Sequence, residues 1–163
     1  MLLNIIIPVY NEERTLDEVL SLVESQRLPC EKEILVVDDG SVDGSRDIAL
    51  KHTSTVRLLI HEVNQGKGGA IRTGLRHTKG DFICIQDADM EYLPADLPRL
   101  VTALQSEHHV AIFGTRFSRI PAGRKITATE ILNEGSGCLH LSNGLIFQAR
   151  DRRYSGSRFD PRH

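Results

Sequence analysis

The sequence has 163 residues and a mass of 18.2 kDa, with 40% hydrophobic and 26% charged residues. That is the size and balance of one globular core, and it excludes wholesale disorder. Twenty Lys plus Arg against 22 Asp plus Glu leave a net charge of −2, which excludes the strongly basic face of a duplex nucleic-acid binder. No run reaches the ~20 apolar residues of a membrane span, and the start MLLNIIIPVYNEE carries no basic leader of a secretory signal. A cytoplasmic protein is expected, at most peripheral at the cytoplasmic membrane face. Cys30, Cys84 and Cys138 are odd in number and far apart, so buried reduced thiols are expected rather than a disulfide framework or a zinc site.

In chain order, Leu2 to Val9 is a short apolar run of the kind covered on both faces in a parallel sheet. Leu16, Val19, Leu20 and Val23 follow the i, i+3, i+4, i+7 spacing of one helix face, with Glu12, Glu13 and Asp17 in or near its first turn. Glu33 to Asp38 is a second strand, ended by Asp39-Gly40-Ser41, and a shorter helix follows through Ile48 and Leu50. Val56 to Ile60 reads as a third strand; Ala70, Ile71, Gly74 and Leu75 mark a third helix; Asp81 to Ile85 is a fourth strand. Leu97, Leu100, Val101 and Leu104 repeat the helical spacing, and Val110 to Gly114 makes a fifth strand. Strands alternating with helices in this way predict an α/β fold, an open and mostly parallel sheet with helices on both faces. Ligands of such sheets sit beyond the carboxyl ends of the strands.

The polar residues at those ends are Pro8 to Glu12, Asp38 to Ser41, Asp87 to Glu91 and, after the fifth strand, Gly114-Thr115-Arg116. Glu12, Asp38, Asp39, Asp87, Asp89 and Glu91 are therefore expected on one rim, a repulsive arrangement unless a cation or a set of donors compensates. Asp87 and Asp89 point to the same side of a strand end, roughly 6.6 Å apart along the backbone. Such a pair can hold Mg2+ or Mn2+ through oxygen, with Glu91 as a third donor; a bare D-x-D more often reads as an acidic loop capping a helix. Asp38-Asp39-Gly40-Ser41 reads either as turn chemistry or as a carboxylate that accepts from a nucleoside base or ribose. Pro8 and Tyr10 either pack at a strand end or form a platform for a base. Asn64 to Ala70 reads either as a turn needing positive φ or as a glycine-rich helix start whose free N–H groups and lysine suit an anion, although it lacks P-loop spacing. The histidines show no useful ligand spacing and receive no catalytic role.

Taken in order, P-V-Y-N-E, D-D-G-S, N-Q-G-K-G-G-A, D-A-D and G-T-R-F resemble the family 2 glycosyltransferases of GT-A fold. The likeness is to dolichol-phosphate mannose synthases and bacterial polyprenyl-phosphate sugar transferases, over about residues 3 to 118. The resemblance implies that Pro8, Tyr10, Glu12, Val37 and Asp39 line the nucleoside. It implies that Asp87, Ala88 and Asp89 meet the ribose, diphosphate and metal, with Asp89 catalytic and, with Glu91, a metal ligand. Arg116 would contact the diphosphate. The implied reaction is inverting transfer of mannose or glucose from a nucleotide-diphosphate sugar to a polyprenyl or dolichyl phosphate, with Mg2+ or Mn2+.

Residues 1–118 are thus expected as a nucleotide-sugar-binding domain. Residues 119–163 are expected as a partial acceptor-side segment with a loose basic tail. Leu139 to Phe147 resembles the amphipathic stretch of the family, but no acidic acceptor motif with its lysine follows, which suggests a truncated or frame-shifted product. The apolar faces at Leu97 to Leu104 and Leu139 to Phe147 either pair with a second subunit or cover the chain's own sheet. The rival reading is a non-catalytic nucleotide-sugar-binding remnant, or a subunit completed by a partner chain. Nucleotidyltransferase chemistry is disfavoured because Pro8 to Glu12 is not the glycine- and arginine-rich loop it needs.

Overall fold

β1 (Leu2–Val9) and β2 (Glu31–Asp38) run parallel in the middle of the sheet, paired from Leu2 with Glu31 to Val9 with Asp38. A computed structural model of the chain describes residues 1–90, 93–106, 111–113 and 145–148. β3 (Val56–Ile60) extends the sheet beside β2, and β4 (Phe82–Ile85) lies parallel to β1 on its other side. Beyond β4 come β5 (Ala111–Phe113) and β6 (Leu145–Gln148), giving the order β3-β2-β1-β4-β6-β5.

β6 corrects the sequence-based expectation of five strands. It inserts antiparallel between β4 and β5, pairing Phe82 with Gln148 and Ile85 with Leu145. A four-residue apolar run is too short to show a period, so only its long-range partner defines it as a strand. The other strands are parallel, as the alternation of strands and helices predicts.

The near-continuous apolar runs follow from coverage on both faces. Leu3, Ile5, Ile7 and Val9 of β1, with Ile34 and Val36 of β2, face α1 (Leu16–Ser25), α2 (Ser45–Lys51) and α4 (Leu97–Ser106). Ile6, Val37 and Ile83 face the other way, against Ala70 and Leu75 of α3 (Lys67–His77). A Cβ on Gly74 would meet Ile6 Cγ2 at 2.6 Å, so α3 sits on β1 at a distance only glycine permits. The α1 positions Leu16, Val19, Leu20 and Val23 are fully buried, each contributing roughly 1.5–3 kcal/mol. Leu97 and Val101 of α4 are buried in the same core and cover the chain's own sheet. No described helix is long and apolar enough to cross a membrane.

The α1 carboxyl end has no basic residue in its last turn. Lys32 of β2 supplies the cation: its Nζ donates to the carbonyls of Val23, Glu24 and Gln26 at 2.6–2.7 Å. Carbonyls at a helix end are short of intrahelical donors; that of Val23 also accepts from Gln26 N–H at 3.4 Å. Cys84 is fully buried and its thiol is pushed up to about 12 by burial, which fits an inert core thiol. Cys30 is only partly buried, and Cys138 lies outside the described residues.

Candidate functional site

Because β1 and β2 end flush at Val9 and Asp38, the loops that follow them emerge side by side. Hydrogen bonds zip the two loops together. Asn11 N–H donates to Ser41 Oγ at 3.0 Å, Val42 N–H to Asn11 Oδ1 at 2.9 Å, and Glu12 N–H to Ser45 Oγ at 2.8 Å. Glu13 N–H donates to Asp43 Oδ2, and Gly44 N–H returns to Glu13 Oε2. Burial would raise the Asp43 carboxyl, but hydrogen bonds from Ser45 and the Glu13 backbone hold it below the usual carboxylate value. Gly40 turns the second loop at φ +74°, and a Cβ there would lie 2.8 Å from the Asn64 backbone nitrogen. The D-D-G-S glycine is therefore required twice over, by its dihedral and by the close passage of the 63–64 segment.

These loops, the start of α3 and the segment after β4 enclose a cavity of about 390 Å3. Of the residues picked out in the sequence, Pro8, Tyr10, Glu12, Asp39, Asp87, Ala88 and Asp89 line it together. Asp39 and Asp89 thus meet at one end of the sheet. Val37 does not line the cavity: it is fully buried beneath it with Ile6, Ala70 and Ile83, because strand alternation turns its side chain onto the α3 face. Glu91 and Arg116 lie outside the described residues.

Asp38 is also corrected. It does not join an acidic rim; it is fully buried, accepting from Ser41 N–H at 3.0 Å and Arg46 Nε at 2.7 Å. Adjacent residues of the same type thus divide the work, Asp38 holding the turn and Asp39 lining the cavity. Among the described non-glycine residues, the positive φ values belong to Asn11 (57°) and Met90 (58°), both on this rim. Such dihedrals cost energy and concentrate where a site is pre-shaped.

The cavity is electrostatically mixed. Lys67, in the first turn of α3, places Nζ 2.7 Å from Asp87 Oδ1. Glu12 has its carboxyl raised, chiefly by burial and further by the charges of Asp89, Asp43 and Asp87, against a lowering hydrogen bond from Thr15. Asn64, Gly66, Lys67 and Ala70 complete the lining. The glycine-rich turn signalled an anion site, but nothing local indicated that Lys67 would reach Asp87. His61, to which no role was given, holds Asp39 at 2.6 Å; a single histidine in an apolar strand end carries no readable signal.

Glu12, Asp87 and Asp89 offer the hard oxygen donors that suit Mg2+ or Mn2+. Among the described residues no three His, Cys, Asp or Glu side chains converge as a ready-made cage. Oxygen donors of this kind suit a dication that keeps sites for water and phosphate, and one of them, Asp87, is paired with Lys67.

The family model for "Glycosyl transferase family 2" matches residues 4–161. The chain belongs to glycosyl transferase family 2. The match runs well past residue 118, where the recognisable motifs stop. An undecaprenyl-phosphate 4-deoxy-4-formamido-L-arabinose transferase from Aeromonas hydrophila is 35% identical over 141 residues, 82% of this chain and 42% of that relative. The chain thus spans less than half the length of this curated relative. Among solved structures, glucosyl-3-phosphoglycerate synthase from Mycobacterium tuberculosis, in complex with Mn2+, UDP and phosphoglyceric acid, is 26% identical with a TM-score of 0.66. It covers 90% of this chain, which covers 55% of it. Mannosyltransferase PcManGT from Pyrobaculum calidifontis, in complex with GDP-Man and Mn2+, is 31% identical with a TM-score of 0.58, over 67% of this chain and 34% of its own. The family's GT-A fold accounts for the strand order and for the cavity's place beyond the strand ends.

Proposed function

We propose that this chain forms the donor-binding part of a glycosyltransferase that moves mannose or glucose from a nucleotide-diphosphate sugar to a polyprenyl phosphate. The observation that carries this reading is the convergence of Asp39, Asp87, Asp89 and Lys67 on one cavity at the carboxyl end of the sheet. Pro8, Tyr10, Glu12 and Asp39 would contact the nucleoside; Asp87, Ala88 and Asp89 would face the ribose and diphosphate. Asp89 and Glu91, with Asp87 beside them, would hold Mg2+ or Mn2+, which supplies positive charge to the departing diphosphate. The similar structures in complex with Mn2+ support that choice.

In the reaction, an acceptor oxygen bonds to the anomeric carbon as its bond to the diphosphate oxygen breaks, and the nucleoside diphosphate leaves. A single displacement of this kind inverts the anomeric centre. Charge develops on the leaving group, where Lys67, the N–H groups opening α3 and Arg116 would stabilise it. A phosphate acceptor is already anionic near neutral pH and needs no strong base. The similarity to an undecaprenyl-phosphate sugar transferase supports a lipid phosphate met at a membrane surface.

Calorimetry with UDP and GDP, each with Mg2+ or Mn2+, tests the binding half: metal-dependent heat is expected, and its absence with both nucleotides rejects the reading. Radiolabelled sugar transfer to polyprenyl phosphate tests the other half. Metal-dependent binding without transfer would favour a non-catalytic nucleotide-sugar-binding chain, or one completed by a partner.

A further inference from the structure

The two oxygens of Asp39 have unequal surroundings. Asp39 is 2% exposed, and its Oδ1 accepts from His61 Nδ1 at 2.6 Å and from the Gln65 backbone N–H at 2.9 Å. His61 is itself 7% exposed, and its Nε2 meets Thr73 Oγ1 of α3 at 2.9 Å. A carboxylate only accepts, so Nδ1 carries the hydrogen and the Thr73 hydroxyl anchors the far side of the ring. Oδ2, by contrast, is buried with no hydrogen-bond partner among the described residues, although Asp39 lines the cavity. A buried acceptor left open is costly until a ligand donor fills it.

We propose that His61 is a positioning residue which, with the Gln65 N–H, occupies one oxygen of Asp39, so that the site takes a single ring N–H and selects a pyrimidine imide over guanine. The inference rests on the donor-binding reading above and narrows its base. Guanine presents two neighbouring N–H donors, a pair that matches both oxygens of an unengaged carboxylate. Here Oδ1 is already engaged by two donors, and guanine's second N–H would be buried without an acceptor. Uracil and thymine present one N3–H between two carbonyls, which a single open oxygen satisfies. His61 thereby acts on the ligand only through Asp39.

The test is calorimetry on the full chain with Mg2+, comparing UDP, dTDP, GDP, 3-methyl-UDP and inorganic pyrophosphate. UDP or dTDP is expected to bind roughly tenfold or more tightly than GDP, and 3-methylation is expected to remove a similar factor. The uridine and thymidine arms show which imide is taken. His61→Ala is expected to bring the imide-to-guanine ratio towards one while pyrophosphate affinity stays unchanged. His61→Asn, whose amide can reproduce the Nδ1 donor, is expected to restore the ratio. If His61→Ala does not fold, Thr73→Val, which releases only the far side of the ring, must lower the ratio in the same direction. GDP binding as well as or better than UDP and dTDP overturns the inference, as does an unchanged ratio in a folded His61→Ala chain or, in its place, Thr73→Val. Either result leaves the donor-binding reading standing. Failure of every nucleotide to bind overturns both.

Discussion

The two ends of the sheet treat buried polar groups in opposite ways. At the amino end, Asn4 is fully buried with both polar atoms engaged: its Nδ2 donates to Glu33 Oε2, and its Oδ1 accepts from Gly80 N–H, both at 2.5 Å. Leu2 N–H donates to Asp81 Oδ2 beside it. At the carboxyl end, Asp39 is almost as buried, yet one oxygen has no partner among the described residues, and Glu12 sits with its carboxyl raised by burial. Both ends use short polar side chains, on β1 and β2 at one end and in the loops that follow them at the other. One closes its hydrogen bonds internally and contributes stability; the other leaves capacity open beside a cavity, at a cost in stability that a ligand recovers.

That contrast breaks most sharply through paired substitutions. Asn4→Leu leaves the Gly80 N–H without its acceptor and Glu33 with only Arg57, 3.8 Å away, which is expected to cost about 2 kcal/mol, with nucleotide affinity unchanged. Asp39→Asn keeps an oxygen for His61 and Gln65 but presents N–H groups where the open acceptor stood. Nucleotide affinity is expected to fall roughly tenfold to a hundredfold, with the melting temperature little changed. Thermal melts and calorimetry on both variants would decide. If Asp39→Asn lowers stability as much as Asn4→Leu and leaves binding intact, the two ends do not differ as described.

A smaller effect is expected at the α1 end. Lys32 has its ammonium pulled below its usual value by burial, with the Glu24 charge opposing, so its hold on three carbonyls carries a desolvation cost. Lys32→Met keeps the apolar stem and removes the donors, and urea denaturation should report a loss of about 1 kcal/mol. No loss would mean that desolvation cancels the hydrogen bonds.

The smallest effect is a pH dependence carried by His52. Burial opposes its charge, but hydrogen bonds to Asp17 and Glu24 outweigh it and raise the folded value. The protonated form is therefore the stabilised one. Its contribution is fully present below the unfolded value of about 6.5 and is lost as pH rises through the folded value. Stability should decline by about 0.5 kcal/mol from pH 6 towards pH 8, and His52→Gln should flatten that part of the profile. An unchanged slope in the variant would remove His52 from the account.

Much of the site was readable because it rests on local rules. Leu16, Val19, Leu20 and Val23 announce a helix through spacing alone, and all four are buried. Pro8, Tyr10, Asp39, Asp87 and Asp89 were placed together because strand ends of a parallel sheet share one rim. The readings that failed needed information no window contains. Asp38 and Asp39 are indistinguishable in sequence, yet Arg46 and the Ser41 N–H claim the first while His61 and Gln65 claim the second. Val37 falls on the wrong face by one residue of alternation, and β6 becomes a strand only through a partner 66 positions away, Gln148 against Phe82.

Local periodicity and turn chemistry in this chain determine the parallel core, its helices and the end of the sheet where carboxylates gather, because burial and strand direction follow from near neighbours. Tertiary packing alone decided which oxygen of Asp39 remains open, that Lys67 reaches Asp87, and that Val37 lies under the cavity. Those outcomes depend on contacts between segments distant in sequence, whose distances are set only when α3 and the loops close over the sheet.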